Sequence, residues 1–96
     1  MNKADVTIQG GDWVALSSAI STAISDTFTF DSDKKYYFQV KSDVPVTFNN
    51  SAAEPTDDSG IMLGYGDQLI AKVPSGDMYV KAHGNNAIIN ICEGEE

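Results

Sequence analysis

Alternation of apolar and polar residues is the main pattern along this chain. In the segment KYYFQVK, the side chains of Tyr36, Phe38 and Val40 share one face and their polar neighbours share the other. The same period of two recurs in ADVTIQ, DTFTF, SDVPVTF, LIAKV, MYVKAH and AIINICE. Such short alternating runs, separated by clusters of Asp, Gly, Asn and Pro, predict a series of β-strands.

The turn-forming residues between these runs predict how neighbouring strands connect. DSDKK is placed to join DTFTF and KYYFQVK as a hairpin, while PSGD and GNN separate the last three strands. Pro45 lacks a backbone N–H and cannot donate to a ladder, so we expect it at a sheet edge or at the start of a strand.

The segment WVALSSAISTAIS carries a second kind of pattern. Leu16, Ile20 and Ile24 fall four residues apart, as on one face of a helix. Serine, threonine and isoleucine are poor helix formers, and no strong capping residue precedes the run. The interpretation favours a strand, with a helix as the alternative.

These elements predict the fold class and the domain organisation. A chain of 96 residues is expected to form a single all-β domain spanning residues 1–96. Seven to eight short strands indicate a small antiparallel β-sandwich, of jelly-roll or Ig-like type, or a small barrel. Residues 93–96, EGEE, are predicted to be a flexible acidic tail.

Net charge and composition narrow the classes of partner. The chain has 14 acidic residues, six lysines and no arginine, which gives a net charge of −8. That balance argues against nucleic acid and anionic membranes as partners. The N-terminal segment has no apolar stretch typical of a secretory signal, so we expect a chain made in the cytoplasm without a signal peptide and used without export. Cys92 is interpreted as a small apolar residue on the last strand.

Few side chains of this chain suit catalysis or metal binding. His83 is the sole histidine and lies beside a turn, where a solvent-facing or turn-capping role is expected. The carboxylate pairs Asp31 with Asp33 and Asp57 with Asp58 fall in turn-like sequence, and neither has the ligand spacing of a calcium loop. We therefore predict no catalytic residue, no metal and no cofactor, and hence a protein that is not an enzyme.

The long polar segment 49–69 separates two predicted strands and suits a contact with another chain. Pro55 and the glycines restrain it, which lowers the entropy lost on docking. Ile61 and Leu63 are expected to face the core of the domain. The predicted interface residues are Trp13, Ala52, Ala53, Pro55, Met62 and Tyr65; for the tryptophan a core position is the alternative.

Four stretches in this order also carry a family resemblance. They are YFQV at 37–40, VPVTF at 44–48, the loop SAAEPTDDSGIML, and MYVKAHGNNAIINICE at the end. Their succession, with an A-x-P-T loop and a G-hydrophobic-x-L strand, resembles small all-β virion proteins of tailed bacteriophages and prophages. The chain departs from that pattern at Gly64, Tyr65 and Gly66, where such proteins often carry a Pro-Gly turn, and the run from Trp13 to Ser25 has no counterpart.

The resemblance implies a non-enzymatic structural role in a virion, of which capsid decoration or cement is the first interpretation. It implies copies of the chain itself, in a trimer or small ring, and a major capsid or other virion protein as partners. A neck-, tail- or fibre-associated position remains open. The alternative function is a carbohydrate- or receptor-binding module on a phage tail or fibre, in which Trp13, Tyr36, Tyr37, Tyr65 or Tyr79 would form a stacking platform.

Overall fold

The computed structural model describes residues 3–94, which form eight strands and one short helix. In chain order these elements are β1 (Lys3–Ile8), β2 (Trp13–Ala15), α1 (Leu16–Ile24), β3 (Lys35–Val40), β4 (Val46–Asn49), β5 (Ile61–Leu63), β6 (Gln68–Lys72), β7 (Tyr79–Ala82) and β8 (Ala87–Glu93). Pro45 directly precedes β4, which confirms its predicted place at a strand start.

The strands form two four-stranded sheets. The first sheet has the order β1-β8-β3-β6 and the second has the order β2-β7-β4-β5. Each pair of neighbouring strands is antiparallel. Consecutive strands lie in different sheets, except for β4 and β5, which are neighbours in the second sheet. Repeated crossing between two sheets is typical of a jelly roll. The predicted all-β antiparallel sandwich is confirmed, and the jelly roll is the one of the predicted arrangements that the structure adopts.

The alternation seen in the sequence places the core between the two sheets. On β3 the side chains of Tyr36, Phe38 and Val40 are buried, while Lys35 and Tyr37 on the opposite face are exposed. The rings of the core meet edge-on or tilted, as in the contact between Phe38 and Phe48, whose centroids lie 5.8 Å apart. That contact joins a strand of the first sheet to a strand of the second.

The predicted hairpin between DTFTF and β3 is wrong. Phe28 and Phe30 are buried as their alternation predicts, but the segment forms no strand. Both edges of β3 are taken by β6 and β8, so the segment has no ladder to join. Instead, the Phe30 ring packs edge-on against Tyr36 with centroids 4.9 Å apart, and the Asp31 N–H donates to the Tyr36 hydroxyl at 2.8 Å.

The preference for a strand in the WVALSSAISTAIS segment is wrong beyond Ala15. Leu16–Ile24 is a helix that buries Leu16 and Ile20, the residues whose spacing suggested that alternative. Its missing local cap is replaced from a distant loop, because Asp77 accepts hydrogen bonds from the Ser17 N–H at 3.1 Å and the Ser17 hydroxyl at 2.8 Å. Tertiary contacts therefore stabilise a helix that its own residues favour weakly.

Replacing Asp77 with alanine should test that cap. The carboxylate also accepts the Met78 N–H at 2.8 Å, so the substitution leaves several half-buried donors without their partner. We expect a loss of about 1–2 kcal/mol in the free energy of unfolding, as for other helix-cap removals. Urea unfolding followed by circular dichroism measures it, with Asp43→Ala at an exposed position as the control. Equal stability of the two variants would show that the cap is dispensable.

The predicted tail begins too early in the sequence. Glu93 is the last residue of β8, pairs with Tyr36 across the ladder, and forms an ion pair with Lys34 at 3.3 Å. The hydrogen bond and charge of Glu93 raise the pKa of Lys34 above its ordinary value. The Gly94 N–H donates to the Lys35 carbonyl at 2.8 Å. Residues 95 and 96 of the predicted tail lie outside the described residues.

Candidate interaction surface

One side of the sandwich ends in two edge strands, β5 of the second sheet and β6 of the first. The turn 64–67 joins them across the sandwich, and we call residues 61–72 the rim. Asp67 closes the turn, since its carboxylate accepts the Gly64 N–H at 2.8 Å and its own N–H donates to the Gly64 carbonyl at 3.0 Å. Gly66 has a φ of +83°, a backbone conformation that favours glycine.

The rim exposes large apolar side chains. The exposed fractions are 55% for Ile61, 64% for Met62, 71% for Tyr65 and 55% for Ile70. Since a large side chain presents roughly 150–250 Å², these fractions amount to on the order of 500 Å² of apolar-rich surface. Their summed area is comparable with that of the largest apolar patches on typical monomers, which are often functional, and it is divided among the outer faces of the two sheets, the turn and the cleft side of β5.

Strand register determines which way these side chains point. Met62 pairs with Thr47 on the outer face of the second sheet, and Ile70 pairs with Tyr37 on the outer face of the first. Ile61 pairs with the buried Phe48 and has the inward parity. The prediction that Ile61 faces the core is correct for its orientation and wrong for its burial. Ile61 stays 55% exposed because β5 is an edge strand and no further strand covers it.

A cleft opens between the two sheets at the rim. It has a volume of 240 Å³, and its apolar lining comes from Phe48, Ile61, Leu69, Ala71 and Met78. The Asn50 side-chain amide donates to the Lys72 carbonyl at 2.8 Å and so ties the second sheet to the first beside this cleft. Leu63, also predicted to face the core, is half-buried and packs against it.

The polar loop 50–60 is held against the second sheet. The Trp13 indole N–H donates to the Asp57 carbonyl at 3.0 Å, and Lys81 forms an ion pair with Asp58 at 2.7 Å. The Lys81 ammonium also lies 6.0 Å from the centroid of the Trp13 ring. The long loop of the sequence therefore crosses the strand order from β5 towards β2.

Beneath the loop lies a buried polar residue on the outer face. Thr47 is 3% exposed, and its hydroxyl lies 2.6 Å from Nε2 of His83. A Cβ added to Gly60 would lie 2.9 Å from the Thr47 methyl group, so the loop backbone covers this side chain closely. Burial with a hydrogen-bond partner satisfies the hydroxyl.

The Lys81 ion pair links loop docking to pH. The hydrogen bond from Lys81 and the charge of its ammonium group hold the pKa of Asp58 below the ordinary value. Because the folded-state pKa is lowered, the pair contributes to docking above the ordinary aspartate pKa of about 3.9. That contribution is lost as the pH falls through the lower folded-state value.

Fluorescence of the single tryptophan should report this change. We expect the wild-type emission to shift to the red only below the ordinary aspartate pKa of about 3.9, as the pH falls through the lower folded-state pKa of Asp58 and the loop leaves Trp13. Asp58→Asn should show part of that shift already at neutral pH. Glu54→Gln removes the same charge from an exposed position of the same loop and should behave as the wild type. Identical titrations for all three proteins would disprove the role of the pair.

The structure distributes the six predicted interface residues over three places. Met62 and Tyr65 lie on the rim, Ala52 and Ala53 are exposed in the loop, and Pro55 is half-buried there. Trp13 is half-buried at the opposite edge of the second sheet and holds the loop. Sequence reasoning missed Ile70, although its parity in LIAKV, opposite to Leu69 and Ala71, indicates an outward side chain.

His83 and Asp31, two of the residues considered for catalysis or metal binding, form hydrogen bonds within the fold. His83 donates its backbone N–H to the Pro45 carbonyl at 3.0 Å, while its ring faces Thr47. Asp31 accepts the Asp33 N–H at 3.0 Å, which agrees with the predicted turn role. Within residues 3–94, no group of three His, Cys, Asp or Glu side chains is arranged to hold a metal ion. In the same part of the chain, no helix has the length and apolar character required to cross a membrane.

The strand order and the two packed sheets define a small double-stranded β-helix, the class of fold that structural comparison also finds. A de novo designed double-stranded β-helix, determined by solution NMR, matches with a TM-score of 0.56 and 12% identity, covering 98% of this chain and 100% of that one. At that identity the likeness shows the fold alone. Neither a protein-family model nor a curated protein matches the sequence.

Proposed function

We propose that this protein is a non-enzymatic structural protein that acts through protein–protein contacts at the rim, as a capsid decoration or cement protein of a phage particle. The observation that carries the proposal is the group of exposed apolar side chains on the rim, which are Ile61, Met62, Tyr65 and Ile70. Its partners are copies of the chain and a protein of the shell. The phage setting and the virion location rest on the resemblance of the sequence segments.

The composition of the rim supports protein contact. Interface cores are depleted of charge and enriched in aromatic residues and methionine. The exposed apolar residues of the rim include Met62 and Tyr65, in a chain whose net charge is −8. The excess of negative charge on the rest of the surface favours solubility, whereas contact with another chain is favoured where charge is sparse. Jelly rolls serve as capsid domains, which is an analogy of fold only.

The carbohydrate-binding alternative needs an exposed aromatic platform. Among residues 3–94, the aromatic rings that contact each other are all buried, and they are Phe28, Phe30, Tyr36, Phe38 and Phe48. The Trp13 indole N–H is occupied by the Asp57 carbonyl. Tyr37 and Tyr65 are exposed, but neither is among these contacting rings, so within residues 3–94 they do not form a paired stacking platform. This arrangement favours assembly over carbohydrate binding.

Charged substitutions on the rim should weaken self-association. Met62→Asp and Tyr65→Asp each place a carboxylate in the contact and should raise the dissociation constant at least about tenfold, which corresponds to about 1.4 kcal/mol. Ile88→Asp makes the same change at an exposed site outside the rim and is the control. Sedimentation equilibrium measures the association, and circular dichroism verifies the fold.

Salt provides a second test of the same contact. Acidic chains repel one another at low ionic strength, and added salt screens that repulsion. Self-association should therefore be no weaker at moderate than at low salt. A protein that stays monomeric at high concentration and binds no shell or tail component would contradict the proposed function.

A further inference from the structure

Strand β6 is the longest sheet edge that the described residues leave uncovered. The other outer strand of the first sheet, β1, packs against α1. The outer strands of the second sheet, β2 and β5, have three residues each, whereas β6 has five. An uncovered edge presents backbone donors and acceptors that can pair with another chain.

The hydrogen bonds around β3 establish which backbone groups of β6 face outwards. The Val40 N–H donates to the Asp67 carbonyl and the Val40 carbonyl accepts the Gly66 N–H, so Val40 bonds towards β6. The Lys41 N–H donates to Ile88 and the Lys35 carbonyl accepts from Gly94, so these residues bond towards β8. Successive residues of β3 thus bond to opposite sides.

The same alternation applies to β6 through its register with β3. Leu69 pairs with Phe38 and Ala71 with Tyr36, which places their backbone groups in the ladder. The N–H and C=O groups of Gln68, Ile70 and Lys72 consequently point to the open edge. Asn50 covers the Lys72 carbonyl, which leaves the middle of the edge, at Ile70, for another partner.

We propose that β6 pairs antiparallel with β6 of a second copy about a two-fold axis at Ile70, joining the first sheets of two copies into one continuous sheet. This inference rests on the proposed assembly function and specifies the contact that the rim makes. A two-fold contact produces a dimer or an even-numbered assembly, in place of the trimer that the resemblance implies.

The side chains of β6 suit this register. Ile70 lies opposite its equivalent and Gln68 lies opposite Lys72, so no like charges meet directly across the new ladder. β6 contains no acidic residue, which removes the main obstacle to self-pairing in a chain of net charge −8. Tyr37, the neighbour of Ile70 on β3, extends the apolar strip on the outer face.

The pairing would bring together exposed apolar side chains of both copies. Ile70, Tyr37 and Tyr65 lie on or beside β6 with exposed fractions of 55%, 45% and 71%, so each copy contributes on the order of 300 Å² of apolar-rich surface towards the roughly 800 Å² that each partner buries in a standard interface. The backbone edge of β6 and the side chains of Gln68 and Lys72 add polar surface to it. A hydrophobic centre with a polar margin is the usual composition of such a contact.

Cysteine cross-linking tests the register directly. In a Cys92→Ser background, Ile70→Cys should give a disulfide-linked dimer under mild oxidation, because a hydrogen-bonded antiparallel pair holds its Cα atoms about 5.5 Å apart. Leu69→Cys and Ala71→Cys should each cross-link poorly alone and efficiently when mixed, since each lies opposite the other. Ile88→Cys is the exposed control for random collision.

Amide exchange provides a readout without mutation. The Ile70 N–H should exchange at least about tenfold more slowly at a concentration where the protein associates than where it is monomeric, whereas the Leu69 N–H should be protected at both. Association with no selective Ile70→Cys cross-link and no change in Ile70 exchange would overturn β6 pairing and leave assembly through the rim intact. A monomer at every concentration that binds no virion component would overturn both.

Discussion

Replacing Phe38 with alanine is expected to lower the free energy of unfolding by about 3–5 kcal/mol, the range for removing a buried phenylalanine. The ring is 1% exposed and contacts Phe30 and Tyr36 on its own side of the core and Phe48 on the other sheet. Its loss leaves a cavity where the two sheets meet. Because small domains have a total stability of about 5–15 kcal/mol, the substitution should remove a large fraction of the stability.

Chemical denaturation followed by circular dichroism measures this loss. Tyr37→Ala, the neighbouring residue on the exposed face of the same strand, is the matched control and should change stability by no more than about 1 kcal/mol. Near-equal effects of the two substitutions would mean that the sheets do not depend on Phe38 for their packing.

The strands were predictable because a half-buried strand repeats every two residues. The buried set of β3 and the buried phenylalanines at positions 28 and 30 follow that period. The partner of each strand is a different matter, because pairing depends on residues far away in sequence. DTFTF alternates like a strand but lies beside a strand whose two edges are already occupied.

The helix was not predictable from local propensity, because a distant residue stabilises it. Asp77, separated by 60 positions from Ser17, supplies the hydrogen bonds that a local cap would supply elsewhere. The four-residue spacing of Leu16 and Ile20 was the correct signal, outweighed by the poor helix propensity of the serines and threonines between them.

The rim was predictable in part. Met62 and Tyr65 stand out as apolar residues in a polar segment, and the structure exposes both. Ile61 has the parity of a core residue, and only the sheet order shows that no strand lies beyond it. The docking of the loop depends on Trp13 and Asp57, which are 44 positions apart and have no recognisable joint pattern in the sequence.

Fold and function are separate conclusions for this protein. The jelly roll accounts for the core and for the position of the two edge strands, but many unrelated activities occur on this architecture. What distinguishes this chain is the surface that the fold leaves open, namely a rim with exposed apolar side chains and an edge strand without acidic residues. Assembly is therefore inferred from the rim rather than from the fold.

Gly60→Ala should destabilise both the fold and the docked loop. Gly60 has a φ of +144°, and an added Cβ would lie 2.5 Å from the Phe48 carbonyl oxygen and 2.9 Å from the Thr47 methyl group. Backbone strain and steric overlap therefore act together, and we expect a loss of about 2–4 kcal/mol in the free energy of unfolding. The displaced loop should also shift the emission of Trp13 to the red.

Substitutions at two other glycines test backbone strain and steric overlap separately. Gly66 has a positive φ, but a Cβ added there would have no atom within 4 Å. Gly66→Ala should therefore lower the free energy of unfolding only by the conformational strain, about 1–2 kcal/mol. Gly10→Ala has no positive φ, but its Cβ would lie 2.2 Å from the Gly84 carbonyl oxygen, so overlap alone should destabilise it. Urea unfolding of the three variants, with tryptophan emission recorded in native buffer, measures both effects. If Gly60→Ala were no less stable than Gly66→Ala and left the emission unchanged, the loop backbone would not lie as close to β4 as the structure places it.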